Sequence, residues 1–141
     1  MKKRHYDKED RNKHLEFIQN TINRMATNSF ILKGWSVTLV TGIIALSLTN
    51  TKINFIYLAF IPTLAFWGLD SYYLRQERLF RKLYDYVRTK DVDKIEPFSL
   101  NTNLMRQEVK NWFSTCFSFN LMSLHLTIII ILLLIVKFGG K

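Results

Sequence analysis

The side chains with the clearest chemical potential lie between residues 70 and 90, where arginines and lysines alternate with tyrosines. Arg75, Arg78 and Lys82 recur at intervals of three and four, so a helix would place them on one face. Tyr84 and Tyr86 follow them. Such cations can bind phosphates and such rings can stack on bases, so this segment is a candidate nucleic-acid-binding surface. Intrahelical ion pairs, control of membrane topology or attraction to anionic lipids would explain the same charges.

A second group of polar side chains lies within an uncharged run of twenty residues, 117–136. Five side chains share one helical face of this run: Asn120, Ser123 and Thr127, followed by Ile131 and Leu134. At about 1.5 Å per residue the run spans roughly 30 Å, the thickness of the hydrocarbon core of a bilayer. Polar groups at that depth should face a neighbouring helix or water. The pattern therefore predicts either a pore lining, with the aliphatic pair closing it by dewetting, or a helix-packing face.

Signals for catalysis are weak. His125 lies in the same run and is a candidate proton site, although a neutral imidazole bonded to a neighbouring helix is the simpler interpretation. Asp70 and Glu77 lie two helical turns apart, which suits paired acids, but salt bridges to the surrounding arginines are the simpler explanation. The single Cys116 excludes an internal disulfide, and no cluster has the spacing of zinc ligands. The sequence predicts no enzyme, no cofactor and no metal site.

Three apolar segments predict a membrane protein with spans at residues 33–48, 53–69 and 117–136. A short turn joins the first two spans into a hairpin. The first span is short, and extending it backwards leaves Lys33 to snorkel to the headgroups. A soluble helical bundle is the alternative, since the apolar content is only 48%. The third segment, however, is too long and too apolar for the core of a small soluble domain.

The distribution of positive charge predicts the orientation. Of the 20 lysines and arginines, 8 lie in residues 1–33 and 9 in residues 70–116, whereas 1 lies in the hairpin turn and 2 lie after residue 136. The positive-inside rule then places the N-terminus and the middle segment in the cytoplasm and residues 137–141 outside as a tail. No cleavable signal peptide is visible before the first apolar run.

Amphipathic stripes predict that the spans continue as helices in the cytoplasm. The stripes are Leu15, Ile18, Ile22 and Met25; Leu69, Tyr73, Phe80, Leu83 and Val87; and Met105, Val109, Trp112 and Cys116, in line with Asn120. Residues 91–101 contain Pro97 and predict a loop. The predicted fold is an all-α membrane protein of one unit, with three transmembrane helices extended into the cytoplasm as long amphipathic helices. Residues 1–32 form a basic arm and helix, and residues 70–116 form the cytoplasmic helices and loop.

Two stretches carry a resemblance to a known group of proteins. The run NSFILKGWSVTLV at residues 28–40 and the run IPTLAFWGLDSYYLRQERLFRKLYDYV at residues 61–87 resemble the small membrane effectors of the bacterial Hailong antiphage system. This resemblance implies a homo-oligomeric ion channel in the bacterial inner membrane. It also implies that a single-stranded DNA oligomer, made by a partner nucleotidyltransferase, holds the channel closed until infection removes it. The ligand residues of that family are not matched one by one, so the candidate site residues above come from their spacing and chemistry.

The predicted function is a pore-forming membrane effector of bacterial antiphage defence that depolarises the membrane when its cytoplasmic ligand is released. A lone protomer of three helices has little room for a water path, so the pore requires a homo-oligomer, with a tetramer as the candidate state. The alternative from another class is a non-conducting membrane anchor or adaptor that recruits a soluble enzyme. A third and weaker interpretation is a small transporter subunit that uses His125.

Overall fold

The computed structural model describes residues 6–49, 53–91 and 94–138, and all regular secondary structure within these ranges is helical. There are four α-helices in these ranges: α1 (Lys8–Thr49), α2 (Phe60–Thr89), α3 (Trp112–Cys116) and α4 (Phe119–Phe138). Two 3₁₀ segments, Ile53–Ala59 and Asn103–Met105, precede α2 and α3. Residues 1–5 of the basic arm, residues 50–52 of the predicted hairpin turn and residues 139–141 of the predicted tail lie outside the described residues.

The prediction of three segments able to cross a membrane is confirmed. Helical stretches that are long and apolar enough occur within Lys8–Ser47, Phe55–Thr89 and Phe119–Phe138. The last of these is the most apolar, with a mean hydropathy of 2.6 in its best window against 1.6 and 1.2 for the other two. The fold is therefore all-helical, with the composition and helix lengths of a multi-pass membrane protein.

Helices α1 and α2 extend well beyond the apolar segments, as the amphipathic stripes predict. The 42 residues of α1 give it a length of about 63 Å, roughly twice the hydrocarbon thickness. Its start is stabilised by Asp7, whose carboxylate accepts a hydrogen bond from the backbone N–H of Asp10 at 2.8 Å. Pro62 lies in the first turn of α2, where proline is tolerated in a helix. Both helices therefore run unbroken between two halves of the molecule. The apolar half contains the three apolar segments, and the basic half contains residues 6–32 and 70–116.

The prediction of a third long helix entering its span from the basic half is wrong. Residues 106–111 contain no α-helix, and the five-residue α3 is separated from α4 by a turn at residues 117–118. Asparagine side chains explain the interruption, because they offer the backbone alternatives to helical hydrogen bonds. Asn101 accepts from the backbone N–H of Asn103 at 3.0 Å, and Asn111 accepts from that of Ser114 at 2.8 Å. Met105 and Val109 consequently do not continue the polar face of α4.

The two halves have separate apolar cores, and α1 contributes to both of them. The core of the basic half contains Tyr6, Ile18, Ile22, Leu79, Leu83, Val87, Ile95 and Met105. The core of the apolar half contains Val40, Ile56, Ala59, Ile128 and Leu132. Buried residues of the predicted α1 and α2 stripes therefore meet in the first core, and α4 contributes its apolar side chains to the second. This arrangement fixes which face of α4 is covered.

Candidate functional site

Helix α4 has three distinct faces, and only one of them is packed within the described part of the protomer. The packed face consists of Leu121, His125, Ile128 and Leu132, all of which are buried against the scaffold. A second face is uniformly apolar and exposed: Phe119, Leu126, Ile130 and Leu133. The third face is the predicted stripe of Asn120, Ser123, Thr127, Ile131 and Leu134, and all five are exposed. At 100° per residue the centre of the stripe lies about 130° from the packed face.

The hydroxyl groups of the stripe bond to the helix that carries them. Thr127 Oγ1 donates to the carbonyl oxygen of Ser123 at 2.6 Å, and Ser123 Oγ donates to that of Asn120 at 3.3 Å. The hydroxyl protons are thereby satisfied locally, while the oxygens can still accept from the exposed side. Such a face can contact water or ions. All five of its side chains are exposed in the described part of the protomer.

A buried polar cluster, which the sequence analysis did not predict, connects the three helices that are long and apolar enough to cross a membrane. Asp70 of α2 is completely buried, and Lys33 of α1 approaches its two carboxylate oxygens at 2.8 and 2.7 Å. Ser29 of α1 donates a short hydrogen bond to the same carboxylate. From α4, Nε2 of His125 faces Asp70 Oδ2 at 3.4 Å. We refer to Ser29, Lys33, Asp70 and His125 as the junction cluster, since Lys33 and Asp70 lie where the apolar and basic halves meet.

The junction cluster corrects two expectations. The sequence predicts that Lys33 snorkels to the headgroups, but it pairs with Asp70 instead and retains a side-chain exposure of 30%. The sequence also favours an arginine as the partner of Asp70, whereas it is Glu77 that pairs with one, through Arg81 at 2.8 Å. A carboxylate buried at this depth requires a compensating cation, and Lys33 is the one that α1 brings within reach.

His125 occupies a defined but incompletely satisfied position. Its ring stacks on Trp67 with centroids 6.0 Å apart and planes 13° apart. Its Nδ1 atom is buried and has no hydrogen-bond partner among the described residues. His125 therefore contacts a neighbouring helix, and it is the polar contact between the packed face of α4 and the carboxylate of α2.

The predicted basic face is present on α2, and a loop adds to it. Arg75 Nε donates to the carbonyl oxygen of Lys110 at 3.2 Å, and Lys82 pairs with Glu108 at 3.3 Å. An open pocket of about 300 Å³ lies beside this face. The residues that line it are Arg78, Arg81, Lys82, Asp85, Glu108, Val109 and Lys110. Periodicity within α2 could not have predicted the contribution of Lys110, because that residue reaches the surface through a loop.

Neither of the two tyrosines proposed as stacking surfaces lines this pocket. Tyr84 follows Arg75 by nine residues and so projects about 180° away from it around α2. Both tyrosines pack against the core of the basic half, and the hydroxyl of Tyr86 donates to the carbonyl oxygen of Lys94 at 3.5 Å. The ammonium group of Lys90 lies 5.8 Å from the centre of the Tyr86 ring. The structure thus gathers the cations into one surface, and Tyr84 lies on another side of α2. Tyr86, four residues after Lys82, lies on the same side of the helix as the cations but packs against the core.

Among the described residues there is no group of three or more His, Cys, Asp or Glu side chains arranged to hold a metal ion. Comparison of the chain with protein-family models, curated proteins and solved structures finds no match.

Proposed function

We propose that this chain is the protomer of a homo-oligomeric ion channel in which α4 lines the pore. The observation that carries the proposal is the division of α4 into three faces. One face is packed on the scaffold, one is uniformly apolar and suited to lipid, and the stripe from Asn120 to Leu134 is exposed yet polar over half its length. Polar side chains at membrane depth are rarely turned towards lipid. If the symmetry axis of the oligomer lies on the stripe side of α4, these polar side chains face the pore and not lipid.

The stripe also supplies the parts that a gated pore needs. Asn120, Ser123 and Thr127 offer oxygen atoms that can replace part of the hydration shell of an ion. Ile131 and Leu134 would form an apolar ring beyond them, and such a ring closes a narrow pore by dewetting without a plug. Purified protein reconstituted in planar bilayers should show discrete conductance steps. Silent bilayers from correctly inserted protein would contradict the channel and favour a non-conducting anchor.

Control by an anionic cytoplasmic ligand is the second part of the proposal. Its support is the basic face of α2 with its open pocket, together with the resemblance to the Hailong membrane effectors. In that role a single-stranded DNA oligomer from a partner nucleotidyltransferase holds the channel closed, and loss of the oligomer during infection depolarises the membrane. The chain would then act in antiphage defence in the bacterial inner membrane, with the basic half in the cytoplasm.

Reporter fusions test the orientation. Seventeen of the 20 lysines and arginines lie in residues 1–33 and 70–116, so these segments should remain in the cytoplasm. A reporter that fluoresces only in the cytoplasm should be bright when fused before Met1 and dark when fused after Lys141. The reverse pattern would overturn the orientation. Two bright fusions would show that one of the three segments does not cross the membrane.

Neutralising the basic face tests the ligand site. The triple variant Arg75→Gln, Arg78→Gln and Lys82→Gln should bind single-stranded DNA more weakly. Its dependence of log Kd on log salt should also be shallower, by about 0.7 for each phosphate that the variant no longer neutralises. If the ligand holds the channel closed, the variant should also be toxic without infection. Fluorescence anisotropy over a salt series and growth after induction would measure the two effects.

A matched control removes the same charge from the far end of α2 and the loop after it. Arg88→Gln, Lys90→Gln and Lys94→Gln should leave binding and growth close to wild type, since Arg88 and Lys94 pair with their own neighbours Asp85 and Asp91. An equal reduction of affinity in both triple variants would show that net charge, and no defined site, attracts the DNA. Unchanged binding in the first variant would exclude the basic face.

A further inference from the structure

An apolar groove lies between helices α2 and α3, where the two halves of the molecule meet. It has a volume of about 200 Å³ and is open to the surface. The side chains that form it are Leu64, Trp67, Trp112, Phe113 and Phe117, with Gly68 and Cys116 at its base.

Two tryptophans hold the walls of the groove in fixed positions. Trp67 of α2 donates from Nε1 to the carbonyl oxygen of Cys116 at 3.0 Å. Trp112 of α3 donates from Nε1 to the carbonyl oxygen of Gly68 at 3.1 Å. A Cβ atom at Gly68 would lie 3.5 Å from the ring of Trp112, so a larger side chain there would meet that ring. The reciprocal bonds hold the two rings in place beside the groove.

The apolar wall of the groove is strongly exposed in the protomer. Phe113 is 69% exposed and Phe117 is 65% exposed, although Phe117 begins the third apolar segment and Phe113 lies four residues before it. An amphipathic aromatic rim of this kind is typical of the level at which acyl chains meet headgroups. The groove is thus placed where a lipid chain would enter it from the membrane.

Positive charge lies at the polar end of the same face. Leu64, Gly68 and Arg75 follow one another at intervals of four and seven, so they share one face of α2. Arg75 lies about 10 Å beyond Gly68 along the helix axis. It contacts the backbone of Lys110, two residues before Trp112. Neither Arg75 nor Lys110 forms an ion pair with any carboxylate among the described residues, so both charges are available to a ligand.

We infer that this groove is a binding site for an anionic glycerophospholipid, with an acyl chain between Trp112 and Leu64 and the phosphate between Arg75 and Lys110. The apolar groove is followed by two cations that form no ion pair. An amphiphile with an apolar chain and a negatively charged headgroup matches this arrangement. Basic pockets beside spanning helices bind such headgroups. The inference requires that the chain lies in a membrane and is independent of whether it conducts ions.

The experiment uses the tryptophans of the groove as reporters. Full-length protein carrying Trp35→Phe retains only Trp67 and Trp112 and is reconstituted in phosphatidylcholine vesicles. Brominated phosphatidylglycerol should quench their fluorescence at a much lower mole fraction than brominated phosphatidylcholine does. The double variant Arg75→Gln and Lys110→Gln should lose this preference, by about fivefold for each cation removed. The control pair Arg88→Gln and Lys94→Gln should keep it.

A second variant distinguishes binding in the groove from attraction of the lipid by general surface charge. Gly68→Leu fills the groove and keeps both cations, so it should also lose the preference, whereas Gly42→Leu on an open surface should not. Equal quenching by the two brominated lipids would show that the groove contacts lipid without preferring an anionic headgroup, and it would overturn the inference. Persistence of the preference in the charge variant would overturn it too. So would protection from both lipids together with crosslinking of Phe113→Cys between protomers, because a second copy would then cover the groove.

Discussion

In the proposed channel, the substitution Leu134→Ser is expected to cause ion leakage at rest, whereas Leu133→Ser is expected to leave the pore closed. The two side chains are adjacent, equally aliphatic and almost equally exposed in the protomer, at 49% and 53%. They point about 100° apart around α4, Leu134 on the stripe and Leu133 on the uniformly apolar face. Any general weakening of the helix by serine would affect both variants alike.

The physical reason is the dependence of dewetting on an apolar ring. A hydroxyl group at Leu134 would give water a hydrogen-bonding partner at the narrowest part of the pore and so lower the barrier to filling it. At Leu133 the same hydroxyl would face lipid and cost insertion energy without opening a path. Single-channel recordings in planar bilayers and a voltage-sensitive dye in cells measure the contrast. Equal conductance or equal silence from the two variants would assign the stripe to contacts between helices and favour the adaptor function.

The parts of the structure that the sequence predicts well are properties of continuous segments. The three apolar runs and the buried stripes of α1 and α2 follow from composition and from the 3.6-residue period alone. The spacing of Asn120, Ser123 and Thr127 likewise shows that they share a face. Spacing cannot show whether that face is packed or exposed, because the answer depends on how α4 is rotated against α2. The burial of His125 on the opposite side settles that rotation.

Contacts between distant segments cannot be predicted in the same way. Lys33 and Asp70 are 37 residues apart, and Asp70 and His125 are 55 apart. Lys33 and Asp70 each have a plausible local explanation, either snorkelling or pairing with a nearby arginine. Only the packing of α1 along α2 brings the lysine to the carboxylate. The interruption before α4 escapes prediction for a related reason, since two asparagine side chains outweigh a regular apolar spacing.

The junction cluster leads to the second large expected effect, on stability. Lys33→Met should destabilise the protein strongly, by about 3–5 kcal/mol, because it leaves the completely buried carboxylate of Asp70 without its cation. Asp70→Asn should be milder. The amide oxygen can still accept from Ser29, and the partly exposed Lys33 can extend towards water. Thermal unfolding of the detergent-solubilised protein, followed by size-exclusion chromatography, measures both.

The double variant decides whether the uncompensated charge is the cause. Lys33→Met combined with Asp70→Asn removes both charges, so it should be clearly more stable than Lys33→Met alone. That reversal is the mark of a buried ion pair, in which the second substitution offsets the first. Arg88→Met provides the control, since its pair with Asp85 is about 60% exposed on both sides and should contribute at most about 1 kcal/mol. If Lys33→Met and the double variant are equally unstable, then Lys33 stabilises the fold through packing of its aliphatic chain, and the ion pair with Asp70 does not hold the three helices together.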